Sequence, residues 1–156
     1  LNMNSNAPHP WRDMMAYIPF NQELGIEFVH VDGLNCALRL PYRDALASDL
    51  HTQSMHGGAL AALADNTFGF AVFRRLTTHR AFATLDLRID YMRPSLPSVA
   101  VTCVGCCHEV SEQFAFVRGY LYDDAPDRPI ATAVGVFIFT SGLLANAPET
   151  LHDVTV

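Results

Sequence analysis

The chain has 156 residues, half of them hydrophobic and 17% charged, with a net charge of −6. This describes one globular domain with a sizeable core and excludes a disordered chain. It also argues against a protein that wraps duplex nucleic acid, because neutralising phosphates takes an excess of basic residues. All ten basic residues are arginine, and a few converging arginines suffice to hold one phosphorylated ligand. No run approaches the roughly 18 apolar residues of a membrane span. Leu1 to Pro10 is polar, with no charged start followed by an apolar stretch, so a cytoplasmic protein without membrane association is expected.

In chain order, Trp11 to Phe20 has a short helical pattern that stops at Pro19. Gly25 to Val31 and Leu34 to Leu40 are β-rich runs around Asp32-Gly33, a hairpin signal. Pro41 to Met55 is polar and reads as a loop. Gly57 to about Leu76 is a long helix, rich in helix formers at its start and closed by Arg74 and Arg75. Its apolar residues lie all round, so it should be buried on nearly every side, and one small sheet covers only one face. Phe82 to Arg93, Val99 to His108, Phe114 to Tyr122 and Ile130 to Phe139 are expected strands joined by hairpin-length connections. The first has an apolar register (Ala83, Leu85, Leu87, Ile89, Tyr91) and a polar one (Thr84, Asp86, Arg88, Asp90). The last is apolar in both registers and reads as a central or interface strand. The outline is an α+β domain with a long helix wrapped by a sheet.

Cys103, Cys106 and Cys107 crowd one segment, a poor disulfide framework. Cys103 and Cys106 point to opposite faces of a strand, and no second ligand pair lies at suitable spacing. Buried reduced thiols and no metal are expected.

Three features carry chemistry. His56-Gly57-Gly58 opens the long helix, whose first N–H groups and dipole suit an anion or oxyanion. A loop-to-helix turn that needs glycine would leave the same trace. Asp65 interrupts an apolar helical run, where a desolvated carboxylate would be a stronger base; a solvent-reaching or arginine-paired aspartate is the other reading. Finally, Asp65 is eight residues beyond Gly57, about 12 Å along the axis and on nearly the same side. Within one helix the carboxylate cannot reach a group bound at Gly57. Two such helices antiparallel across a two-fold axis would bring Asp65 of one beside Gly57 of the other.

The segment Met55-His56-Gly57-Gly58-Ala59-Leu60-Ala61-Ala62-Leu63-Ala64-Asp65-Asn66 resembles the signature of PaaI-like hotdog-fold acyl-CoA thioesterases. Ala83 to Pro94 resembles the strand that follows the helix in that family, and the similarity runs from roughly Gly25 to Thr140. It implies a hotdog domain over 25–141, between an N-terminal segment with a short helix (1–24) and a tail (142–156). Its long central helix would be wrapped by a five- to six-stranded antiparallel sheet. It also implies hydrolysis of an acyl-CoA or aryl-CoA thioester by a homodimer or dimer of dimers, coenzyme A being part of the substrate and no cofactor being required.

By the resemblance, the Gly57 N–H polarises the thioester carbonyl with His56 nearby, and Asp65 of the facing subunit activates water or attacks the carbonyl. Gly58, Asn66 and Thr84 fall in the substrate-binding part of the motif. Relatives often carry Asn or Gln six residues before the motif histidine; here that residue is Leu50, and His51 is the preferred substitute over Asp49. Thr84 would need a bulge or an edge position to reach the site from its polar register. Arg93 is the preferred partner for a coenzyme A phosphate, ahead of Arg74, Arg75 and Arg80.

Two other functions fit a hotdog domain. A hydratase or dehydratase would need differently spaced His and Glu or Asp motifs, which are not found. A non-catalytic acyl-CoA-binding module has no need of a carboxylate at position 65.

Overall fold

The computed structural model describes residues 17–78 and 80–140. Helix α1 spans Pro19–Leu24. It begins at the proline that was expected to end a helix, because proline at the first helical position loses no hydrogen bond and has φ already set. Gly25 ends it in the left-handed region at φ 71° and ψ 33°, its N–H returning to the Gln22 carbonyl at 3.0 Å. The expected helical stretch from Trp11 to Ala16, like the tail from 142 onward, lies outside the described residues.

Strands β1 (Glu27–Asp32) and β2 (Asn35–Leu40) form the expected hairpin, turning at Gly33 with φ 54°. The irregular stretch that follows contains a single 3-10 turn, Asp44–Leu46. Helix α2 (Gly57–Arg75) comes next, then β3 (Phe82–Tyr91), β4 (Val101–Val110), β5 (Phe114–Tyr122) and β6 (Ala131–Phe139). All six strands form one antiparallel sheet in the order β1-β2-β4-β5-β6-β3. Strand β6, apolar in both registers, is accordingly an interior strand. With α2 lying against one face of the sheet, this is the hotdog arrangement.

The helix is seated by Phe68. Its side chain is fully buried, and Gly105, Gly119 and Gly135 from the three neighbouring strands β4, β5 and β6 meet its ring. A Cβ at Gly119 would overlap the Val104 carbonyl and stand 2.6 Å from a Phe68 ring carbon; at Gly105 and Gly135 it would stand 3.0 Å from the ring. Those absent side chains let the helix approach the sheet closely. Phe68 is one turn beyond Asp65, so the same seat fixes the height of the carboxylate above the sheet.

Cys36, Cys103 and Cys107 are buried, and Cys103 and Cys106 face opposite sides of β4. Burial pushes the Cys36 and Cys103 thiols up to about 12 and Cys107 up to about 11, so none is a thiolate at neutral pH. Among the described residues, no group of three or more His, Cys, Asp and Glu could hold a metal ion. No described helix is long and apolar enough to cross a membrane.

The two faces of β3 differ from the sequence expectation. The ladder with β6 pairs Thr84 with Phe137 and then Asp86 with Val136, leaving Leu85 as a bulge. Thr84 shares the helix-facing side with Leu87, Ile89 and Tyr91, whereas Ala83 pairs with Ile138 on the other side. Leu85, expected in the dry register, is 57% exposed. One extra residue reverses the register of everything before it.

Candidate active site

Helix α2 opens at His56, whose backbone is extended (φ −64°, ψ 137°) and whose imidazole caps the helix. The Gly58 N–H donates to His56 Nδ1 at 3.0 Å, and the Ala59 and Leu60 N–H groups donate to the His56 carbonyl at 3.0 and 3.1 Å. A neutral imidazole that accepts at Nδ1 carries its proton on Nε2, so His56 presents an N–H donor away from the helix. Among the described residues the Gly57 N–H donates to nothing. A donor at the positive end of a 19-residue helix is thus available to a developing negative charge.

The two glycines sit in different surroundings. A Cβ at Gly58 would stand 3.1 Å from His56 Nδ1, tight enough to disturb the cap. At Gly57 it would meet only the Tyr91 hydroxyl and ring at 3.5 and 3.6 Å, ordinary contact, and φ there is not positive. Neither backbone strain nor packing within the chain calls for glycine at 57, and alanine is the better helix former.

Asp65 is half-buried on α2, and its Oδ1 accepts a hydrogen bond from the Thr84 hydroxyl at 2.7 Å. Edge position and bulge together supply what the sequence reading required of Thr84. Asn66 lies beside Asp65, but its Nδ2 donates to the Ala62 carbonyl of its own helix at 2.8 Å.

The loop before the helix is closed on itself. Ser48 N–H donates to the Ser54 carbonyl at 2.8 Å, and the Ser98 N–H donates to the Gln53 carbonyl at 3.0 Å. The buried Ser95 hydroxyl accepts from the Met55 N–H at 2.7 Å. Asp49 accepts from the N–H groups of His51 and Thr52 and from the Thr52 hydroxyl. Those bonds, the Thr52 hydroxyl first, lower its carboxyl from the ordinary value. Asp49 therefore builds the turn, and Leu50 and His51 stand exposed on it.

Arg93, expected at a coenzyme A phosphate, is placed in a structural network. Its guanidinium donates to both carboxylate oxygens of Asp123 at 2.9 and 2.7 Å and to the carbonyls of Arg128 and Pro94 at 2.7 and 3.1 Å. The Asp123 side chain is 0% exposed. Burial alone would raise its carboxyl, but the bonds from Arg93 and from the Leu96 and Asp124 N–H groups outweigh that and hold it well below the usual carboxylate range. Arg74 donates to the carbonyls of Asn35 and Gly33, and Arg80 donates to the Glu112 carbonyl and lies 3.9 Å from the centre of the Phe139 ring. Arg75 is exposed.

Tyr91 was overlooked by sequence reasoning. Its hydroxyl donates to the Gly57 carbonyl at 2.8 Å, and its ring lies across the Gly57 Cα. The available signal was a tyrosine on the helix-facing register of a strand, where its hydroxyl needs a partner.

The hotdog fold of this chain thus carries an open N–H donor at a helix start, a histidine capping that helix and a hydroxyl-bound carboxylate two turns along. The comparisons with known proteins agree with that fold. The family model of the thioesterase superfamily matches residues 52–130, and the chain belongs to that superfamily. It is similar to a Pseudomonas aeruginosa protein of known structure at 36% identity, over 83% of this chain and 96% of that one, with a TM-score of 0.74. It is also similar to a variant of the phenylacetic acid degradation protein PaaI from Thermus thermophilus, at 27% identity over 77% and 97% of the two chains, TM-score 0.66. PaaI from the phenylacetic acid degradation operon of Escherichia coli shares the fold, at 20% identity over 82% and 88%, TM-score 0.71. No curated protein matches the chain. Membership of that superfamily supports a thioesterase-type function.

Proposed function

We propose that the chain hydrolyses an acyl-CoA or aryl-CoA thioester to the free acid and coenzyme A, at two composite sites on a two-fold homodimer. The Gly57 N–H and His56 Nε2–H receive the thioester oxygen of a substrate bound at one subunit. Asp65 of the facing subunit takes a proton from water, whose oxygen adds to the acyl carbon. The C–S bond then breaks and the sulfur leaves with the proton. Thr84 occupies Oδ1 of Asp65 and leaves Oδ2 for the water. The observation that carries this reading is the pairing of a donor at Gly57 without an internal acceptor and a carboxylate that Thr84 orients.

Two features of the single chain support the dimer. The side of α2 carrying Ala61, Ala62, Asp65 and Asn66 is only half-buried. Strand β3 is a ten-residue sheet edge with Leu85 and Tyr91 exposed, a surface natural proteins rarely leave uncovered. Within one chain, the roughly 12 Å of helix between Gly57 and Asp65 keeps the two groups from acting on the same carbonyl.

The test is Asp65→Asn, assayed with a panel of acyl- and aryl-CoA thioesters by release of free thiol. The expected loss is at least about two orders of magnitude, with the oligomeric state unchanged. Undiminished turnover would remove Asp65 from the reaction.

A further inference from the structure

The peptide unit joining Gly57 to Gly58 is held at both ends by side chains from different elements. Its carbonyl accepts from the Tyr91 hydroxyl on β3 at 2.8 Å, and its N–H donates to His56 Nδ1 at 3.0 Å. The donors all run one way: Tyr91 O–H to the peptide oxygen, the peptide N–H to the imidazole, and the imidazole Nε2–H outward.

We propose that Tyr91 is a positioning residue whose hydroxyl, acting through the Gly57–Gly58 peptide, fixes the His56 ring as a donor at Nε2. The inference rests on the function proposed above, since it gives that donor the thioester oxygen as its target.

A hydrogen bond to a peptide carbonyl polarises the amide and makes its N–H a better donor, and a better donor at Nδ1 makes Nε2–H more acidic in turn. The phenol keeps its proton at neutral pH, as an ordinary tyrosine does, and is a hydrogen-bond donor to the Gly57 carbonyl; partial burial raises its pKa further. The ring also closes the side of Gly57 where a Cβ would project, so the turn is held by packing as well as by the hydrogen bond. No substrate atom touches Tyr91 in this scheme.

The experiment is Tyr91→Phe, which keeps the ring over Gly57 and deletes only the hydroxyl. Its first readout needs no substrate: the 15N shifts of the His56 ring in the intact protein. In the wild type they report an acceptor at Nδ1 and a proton on Nε2, and in Tyr91→Phe they move toward a mixture of tautomers. Its second readout is kinetic, and kcat for thioester hydrolysis should fall about fivefold with KM changed less than about twofold, the scale of one neutral hydrogen bond. A thermal midpoint close to the wild-type value identifies a folded variant; Tyr91→Leu, which removes ring and hydroxyl together, should show the same tautomer shift and a larger kinetic loss. Unmoved His56 shifts in folded Tyr91→Phe overturn the inference, whatever the rate. If the shifts move in a protein that hydrolyses no thioester, the relay stands and the proposed function fails.

Discussion

Replacing Thr84 with valine tests the orientation of Asp65 with little disturbance elsewhere. Valine keeps the branched shape and the β propensity of the residue, so the β3 bulge and its pairing with β6 should survive. What is lost is one hydroxyl-to-carboxylate hydrogen bond of 2.7 Å. Bonds to charged groups contribute about 1.5–3 kcal/mol, and the lower end applies because Asp65 is only half-buried in the single chain. About 1.5 kcal/mol converts to roughly a tenfold fall in kcat at 1.36 kcal/mol per decade. The assay is steady-state thioester hydrolysis by free-thiol release, with the thermal midpoint measured in parallel. Thr84→Ser, which restores the hydroxyl, should recover most of the rate. A folded Thr84→Val enzyme with wild-type kcat would refute the reasoning, as would a serine variant as slow as valine.

Two predictions concern the frame that positions the site. Gly119→Ala forces a Cβ into the Val104 carbonyl and the Phe68 ring, and should cost at least about 2 kcal/mol in urea unfolding; a cost below about 0.5 kcal/mol would contradict the close seat of α2. Asp123→Asn breaks a pair with a fully buried carboxylate and should cost about 3 kcal/mol at pH 7. The Asp123 carboxyl is held below its unfolded value of about 3.9. Its contribution is therefore present above about pH 4 and lost as pH falls further toward the folded pKa. Unfolding free energies at pH 7, 4 and 3 should show the wild type losing stability in that interval more steeply than Asp123→Asn.

The long helix, the first hairpin and the four later strands were legible because each rests on a local signal: apolar periodicity, Asp32-Gly33, and hairpin-length breaks. The site motif was legible for the same reason, since His56, Gly57, Gly58 and Asp65 sit on one helix with fixed spacing. What escaped was set by other elements. Pro19 reads as a stop or a start depending on what surrounds it, and here it starts α1. The Leu85 bulge leaves no mark in an alternating pattern, so the face of Thr84 could be known only from the pairing of β3 with β6. Arg93, which the structure places beyond the end of β3, is engaged by Asp123, thirty residues away, a partner its neighbours in sequence do not reveal. Tyr91 gains its role from a carbonyl on α2 that sequence distance hides.

The central claim is that Gly57 of one subunit works with Asp65 of the other, and subunit mixing tests it most directly. Gly57→Pro deletes the amide donor at a position where the fold accepts proline: it is the first residue of α2, and the preceding His56 already has the extended backbone that proline demands. Asp65→Asn deletes the carboxylate. Each variant alone should be nearly inactive. When the two are unfolded together and refolded as an equal mixture, half of the dimers pair one of each, and each such dimer has one intact site out of two. Activity should then return to about a quarter of the wild-type value. A mixture no more active than its two parents would contradict the composite site.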